Sequence, residues 1–162
     1  MELEKLSELK FTSDLKNYNK SEFKWKHILS FTGRGFYAYV SKDMANPGSG
    51  HTIIYDVVMT NYGGGYNGHT GVYSVPIDGL YSFTWITRVQ CGGAYTSELH
   101  VNNKIAGSVY IYCGSNSNAG NAVIEVRKGD SVFVRTLTGS GMIRSNTYGR
   151  TSFSGFLVSL IK

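Results

Sequence analysis

The stretch TNYGGGYNGHTGVYSVPIDGLYSFTW, residues 60–85, decides the fold. Its glycines Gly63, Gly64, Gly65, Gly68 and Gly71 admit two physical readings. A phosphate-cradling loop needs glycines at set offsets with a Lys and a Ser or Thr, placed between a strand and a helix so that helical N–H groups meet the anion. No Lys follows these glycines, and Tyr81, Phe83 and Trp85 alternate with Ser82 and Thr84 in the period of two that belongs to a half-buried strand. A dinucleotide fingerprint fails for the same reason. The glycines therefore read as turn residues, supplying positive φ between strands that carry large aromatics.

Composition agrees. A chain of 162 residues fits one domain, and a domain of that size buries about 70% of its unfolded surface, enough for a core without staples. Tyr (12) and Phe (8) favour strands, Gly (20) favours tight turns, and Pro (2) is scarce. The net charge of +5 is modest and no basic arm is present, so nucleic acid is not an expected partner. No apolar run is long enough to span a bilayer, and MELEKLSELK at the start lacks the pattern of a signal peptide. Cys91 and Cys113 are too few for a disulfide scaffold and have no zinc-ligand spacing. They can be free or paired.

Residues 1–34 form an N-terminal leader unlike the rest. Leu3, Leu6, Leu9 and Leu15 give a broken helical period, and Lys10, Ser13 and Lys16 interrupt every heptad register, so a helical stalk remnant and a partly ordered polar leader both stay open. From Phe36 onward the period is two. Ile53, Tyr55, Val57 and Met59 alternate with Ile54, Asp56, Val58 and Thr60, and Leu99 and Val101 alternate with Glu98, His100 and Asn102. Further strands are expected at Val109 and Ile111, Val123 to Val126, Val132 to Val134 and Phe156 to Ile161. Asp78-Gly79, Asn102-Asn103, Lys128-Gly129-Asp130 and Gly139-Ser140-Gly141 punctuate them. Short strands about ten residues apart, with no helical pattern between them, predict an all-β antiparallel sandwich or jelly roll.

Tyr55, Asn61, Tyr66, Tyr73, Gly79, Tyr81, Phe83 and Trp85 have the spacing of a known signature. It resembles that of the globular-head domain of complement C1q, the C1q-domain-containing family. Tyr55 and Tyr73 stand where Phe is usual, and Trp85 where Phe or Tyr is usual. FYAYVSKD at 36–43, KGDSVFVRT at 128–136 and TSFSGFLV at 151–158 resemble further strands of that family. GSGHTIIYDVVMTN resembles secreted C1q-domain proteins of molluscs, studied as pattern-recognition lectins. The resemblance covers residues 35–162 and implies a ten-stranded antiparallel jelly-roll sandwich shared with tumour necrosis factor, assembled as a compact homotrimer. It also implies a non-enzymatic, secreted protein that binds glycans, microbial surface polymers or protein partners in innate immunity. Some members bind calcium near the trimer top.

The aromatics Tyr81, Phe83, Trp85, Phe153 and Phe156 fall at strand periods and are expected in the core or the trimer interface. His27, His51, His69 and His100 have no metal-ligand spacing, so no metal site is predicted. Asp56, Asp78, Glu98, Glu125 and Asp130 sit in or beside strands without a nucleophile–base context, so no catalytic residue is predicted. These acids offer no Asp-rich loop for calcium, and no cofactor is expected. Two loop clusters have the residue types of sugar recognition, an aromatic face plus planar amide or guanidinium donors. One is Tyr62, Tyr66, Asn67 and His69; the other is Arg144, Asn146, Tyr148 and Arg150. The expected function is a secreted, homotrimeric lectin for anionic or microbial glycans; the alternative is a cytokine-like ligand acting on a receptor. Cys91 and Cys113 are expected at the same end of the jelly roll, as a disulfide or close pair.

Overall fold

The computed structural model describes residues 33–90, 92–112 and 117–161. Every regular element among them is a strand: β1 (Gly35–Tyr39), β2 (Met44–Ala45), β3 (Val57–Tyr62), β4 (Tyr66–Asn67), β5 (Val72–Ser74), β6 (Gly79–Arg88), β7 (Ala94–Val101), β8 (Lys104–Tyr112), β9 (Ser117–Val126), β10 (Ser131–Ser140), β11 (Met142–Ile143) and β12 (Ser152–Leu160). They form two five-stranded antiparallel sheets, the first in the order β3-β1-β12-β6-β9 and the second in the order β4-β5-β10-β7-β8. The short pair β11-β2 clips two long connections together. This is the all-β jelly-roll sandwich that the strand pattern predicted. The leader to Thr32, and both Cys91 and Cys113, lie outside the described residues, and with them the helical leader and the cysteine pair.

The sandwich closes because alternate residues of both sheets are large and apolar. In β6, GLYSFTWITR, every second residue from Gly79 to Thr87 is buried. Phe36 of β1 stacks on Tyr66 and Tyr73, each at 4.7 Å between ring centroids, and meets Phe153 of β12 edge-on at 4.9 Å. Each such ring buries roughly 150–250 Å², which at about 25 cal/mol per Å² stabilises the fold by roughly 4–6 kcal/mol as an upper bound. Trp85 needs room that only glycine leaves: a Cβ at Gly120 would lie 2.2 Å from its ring. Its indole nitrogen donates to Ser97 Oγ at 3.1 Å, so the one polar atom of the side chain is satisfied across the sheets. Phe156, by contrast, is exposed, on the outer face of the first sheet.

The expected alternation from Ile53 to Met59 holds only in its first half. Ile53 and Tyr55 are buried, but residues 51–53 run beside β10, with Ile53 N donating to Val134 O at 2.9 Å and Thr136 N donating to His51 O at 2.9 Å. The ladder of β3 begins at Val57, where the chain has crossed to β1 in the other sheet. Met59 is therefore exposed on an edge strand. A change of sheet breaks the phase that period-two reading assumes.

Candidate functional site

The ladders bring Tyr39 of β1 opposite Ser152 of β12, and Ser152 opposite Ile86 of β6. The connections 40–56 and 141–151 therefore emerge at one end of the sandwich, where β6 also ends at Arg88. Residues 146–149 form a tight turn in which Asn146 N donates to Gly149 O at 3.0 Å and Gly149 N donates to Asn146 O at 3.1 Å. Arg88 passes beneath it. Its Nη1 donates to Asn146 Oδ1 at 3.2 Å and to Gly149 O. A Cβ at Gly149 would lie 2.9 Å from the Arg88 guanidinium, so glycine is what admits the clamp.

The base of the loop is pinned as firmly. Ser145 N donates to Asp43 Oδ1 at 2.7 Å, Thr151 Oγ1 donates to Arg144 O at 2.7 Å, and Arg88 N donates to Thr151 Oγ1 at 3.1 Å. Arg144 Nε lies 3.4 Å from Asp43 Oδ2. The guanidinium of Arg150 lies 4.6 Å over the Tyr39 ring, a cation–π contact that keeps its in-plane donors open. Tyr148, at the tip, is 91% exposed. On the neighbouring connection Asp56 is held below the ordinary carboxylate value. Partial burial pushes it up, but hydrogen bonds from Ser41 and the charge of Lys42 outweigh that.

The second predicted cluster is thus one braced loop. Tyr148 faces outward, Arg150 is half-buried against Tyr39, Arg144 is engaged with Asp43, and Asn146 holds the turn. The first cluster is dispersed. Tyr62 ends β3 on the outer face of the first sheet, 69% exposed. Tyr66 lies in the core, its hydroxyl donating to Tyr55 O at 3.1 Å, and burial raises its pKa well above the ordinary value. Asn67 ends β4 and His69 sits in the turn to β5, where Asn67 Oδ1 accepts from His69 N at 2.8 Å. Tyr39, Asp43 and Arg88 complete the loop site from three other segments. No motif spacing marks them; only topology brings them in. Among the described residues no three His, Cys, Asp or Glu side chains converge as metal ligands.

The family described as C1q domain matches residues 35–158. The chain belongs to the C1q domain family. It is similar to complement C1q tumor necrosis factor-related protein 3 of Homo sapiens, 30% identical over 128 residues, covering 76% of this chain and 50% of that protein. The chain thus spans about half the length of the curated relatives it matches, 50% in that case. Among solved structures, the globular domain of zebrafish complement 1qA superposes with a TM-score of 0.64 at 15% identity, over 79% of this chain and 99% of that one. The Eiger TNF of S. frugiperda superposes with a TM-score of 0.55 at 14% identity, over 81% and 96%. Both likenesses show the fold, a jelly roll common to C1q heads and tumour necrosis factor ligands.

Proposed function

We propose that this C1q domain is a secreted, non-enzymatic recognition module of innate immunity that binds anionic or microbial glycans as a homotrimer. One observation carries the reading: the braced loop presents Tyr148 at 91% exposure, with the Arg150 guanidinium laid over Tyr39 close by in sequence and space. A sugar ring offers an apolar face to an aromatic and hydroxyls or carboxylates to planar donors, and a bidentate Arg fork matches a carboxylate. Because Arg88 has already fixed the turn, binding does not have to order it. Asn146 shapes the site and Arg144 supplies a second guanidinium at its base. Tyr62, Asn67 and His69 remain exposed polar or aromatic positions outside it.

The trimer is supported by the outer face of the first sheet. Tyr62, Gly35, Phe156, Ser82 and Val123 lie side by side across its five strands. Tyr62, Phe156, Val123 and Val158 are all exposed, an apolar surface that a monomer seldom leaves to water. Closed ring symmetry among copies covers it. Three linked sites on one particle raise avidity by about 10² to 10⁴ without any new contact.

A second reading, a protein ligand acting on a receptor, draws on the similarity to complement C1q tumor necrosis factor-related protein 3. A glycan array run with and without calcium separates the two. Binding that is competed by free sugar and lost in Tyr148→Ala supports glycan recognition. An empty array, with saturable binding to one cell-surface protein, supports the receptor ligand instead.

A further inference from the structure

The outer face of the second sheet buries polar groups where a water-facing sheet has no need to. Glu98 and His100 take outward positions on β7, since Ser97 and Leu99 point into the core, yet they are only 6% and 8% exposed. His100 Nε2 lies 3.1 Å from Glu98 Oε2. On one side β10 sets Phe133 opposite His100 and Arg135 opposite Glu98. The His100 and Phe133 rings are 5.4 Å apart and within 8° of parallel, and the exposed Arg135 guanidinium lies 5.0 Å over the Phe133 ring. On the other side β8 sets Tyr110 opposite Thr96, and Tyr110 and Tyr112, 61% and 57% exposed, stand 6.3 Å apart with 15° between ring planes.

We propose that this face is a second binding site, for an acidic oligosaccharide, with the ligand's carboxylate or sulfate on Arg135 and a sugar ring against Tyr110 and Tyr112. The inference rests on the glycan reading but places this site on the opposite sheet from Tyr39. Charge complementarity identifies the ligand. The Glu98 carboxylate is turned in to His100, which leaves Arg135 as the exposed charge of its row. A guanidinium lying on an aromatic ring is less hydrated and already oriented, with its in-plane donors free for an oxyanion. Glu98 and His100 are positioning residues: they fix the Phe133 ring that supports the guanidinium. β10 and β8 flank β7, and Tyr110 lies opposite Thr96, four residues along β7 from His100, in whose row the guanidinium rests on Phe133; cation and aromatics therefore stand roughly 16 Å apart, the reach of a short oligosaccharide rather than of one sugar.

The test is binding of the full chain to immobilised heparin, with neutral dextran as control, for wild type, Arg135→Ala, Arg135→Lys, Tyr110→Ala and Tyr148→Ala, each checked by light scattering. The wild type binds heparin and not dextran. Arg135→Ala weakens heparin binding about tenfold, as loss of a charge-assisted hydrogen bond does; Arg135→Lys recovers part of it, and Tyr110→Ala weakens it with assembly unchanged. Arg135→Ala and Tyr110→Ala binding like wild type, with Tyr148→Ala impaired, would overturn this site and leave the loop reading standing. Loss of assembly in Tyr110→Ala would overturn it too, by showing the face to be a contact between copies. No wild-type binding to heparin or to any arrayed glycan would remove both readings together.

Discussion

Tyr55→Phe should make the protein more stable. Tyr55 is fully buried and its hydroxyl has no hydrogen-bond partner among the described residues, while its backbone carbonyl accepts the Tyr66 hydroxyl at 3.1 Å. The ring belongs to the core, 5.5 Å from Phe153, so Phe keeps the packing and removes only the orphaned oxygen. An unpaired buried hydroxyl costs about 1–3 kcal/mol, and the void left by one oxygen returns a fraction of that. The expected net gain is about 1 kcal/mol, or roughly 3–5 °C in Tm for a domain of this size. Phe is also the residue the family signature usually carries there. Tyr66→Phe is the contrast, because its hydroxyl is used; it should cost about 1 kcal/mol. Both are read by urea and thermal unfolding followed by circular dichroism at one fixed protein concentration, since the proposed assembly would make Tm depend on concentration. A loss of 1 kcal/mol or more in Tyr55→Phe would refute the reasoning, by showing that the hydroxyl has a partner such as a buried water.

Gly120→Ala places a methyl 2.2 Å from the Trp85 ring and should destabilise by about 1–3 kcal/mol, with a changed tryptophan emission spectrum; unchanged stability would mean that Trp85 has another rotamer available. Arg88→Ala should weaken glycan binding at the Tyr148 loop while leaving both sheets intact, because it removes the donors to Asn146 and Gly149; hydrogen exchange at residues 146–149 should rise, and unaltered exchange would show that the turn stands unaided. Alkali should unfold the domain. Burial holds the hydroxyls of Tyr55, Tyr66 and Tyr73 protonated above their ordinary value of 10.0, so the unfolded chain loses these protons first and stability falls as pH rises past that value. Each contributes a slope of about 1.4 kcal/mol per pH unit. Tyrosinate absorbance for these three should appear together with loss of the dichroism signal; complete ionisation in a still-folded protein would contradict their burial.

The fold was legible because it depends on local pattern. Tyr81, Phe83 and Trp85 alternate with small polar residues, and that alternation is the physical requirement for a strand buried on one face. Positive φ at Gly63, Gly64 and Gly71, at +84°, +66° and +75°, is likewise a local property that glycine announces. Where the chain leaves one sheet for the other, between Tyr55 and Val57, pattern reading lost phase, because nothing in the residue types marks the crossing. Tyr66 shows a related failure. Its neighbours Gly65 and Asn67 suggest a surface loop, but register places it opposite Tyr73, and Phe36 stacks on both.

The loop site was half legible for a different reason. Arg144, Asn146, Tyr148 and Arg150 sit within seven residues, so composition alone could group them. What braces them into one candidate site is Arg88, which precedes Asn146 by 58 residues in sequence, and Tyr39, which comes from the first strand. The sheet order β1-β12-β6 makes these neighbours, because β12 sits between β1 and β6 and receives the chain directly from the loop. Asn146 illustrates the consequence. Read alone it is an amide donor for a sugar hydroxyl, but its Oδ1 already accepts from the Arg88 guanidinium and the Tyr148 backbone. In the proposed site its contribution is therefore conformational: it holds the exposed ring of Tyr148 in place, and the ligand we propose would meet the tyrosine and the Arg150 guanidinium rather than the amide oxygen that positions them.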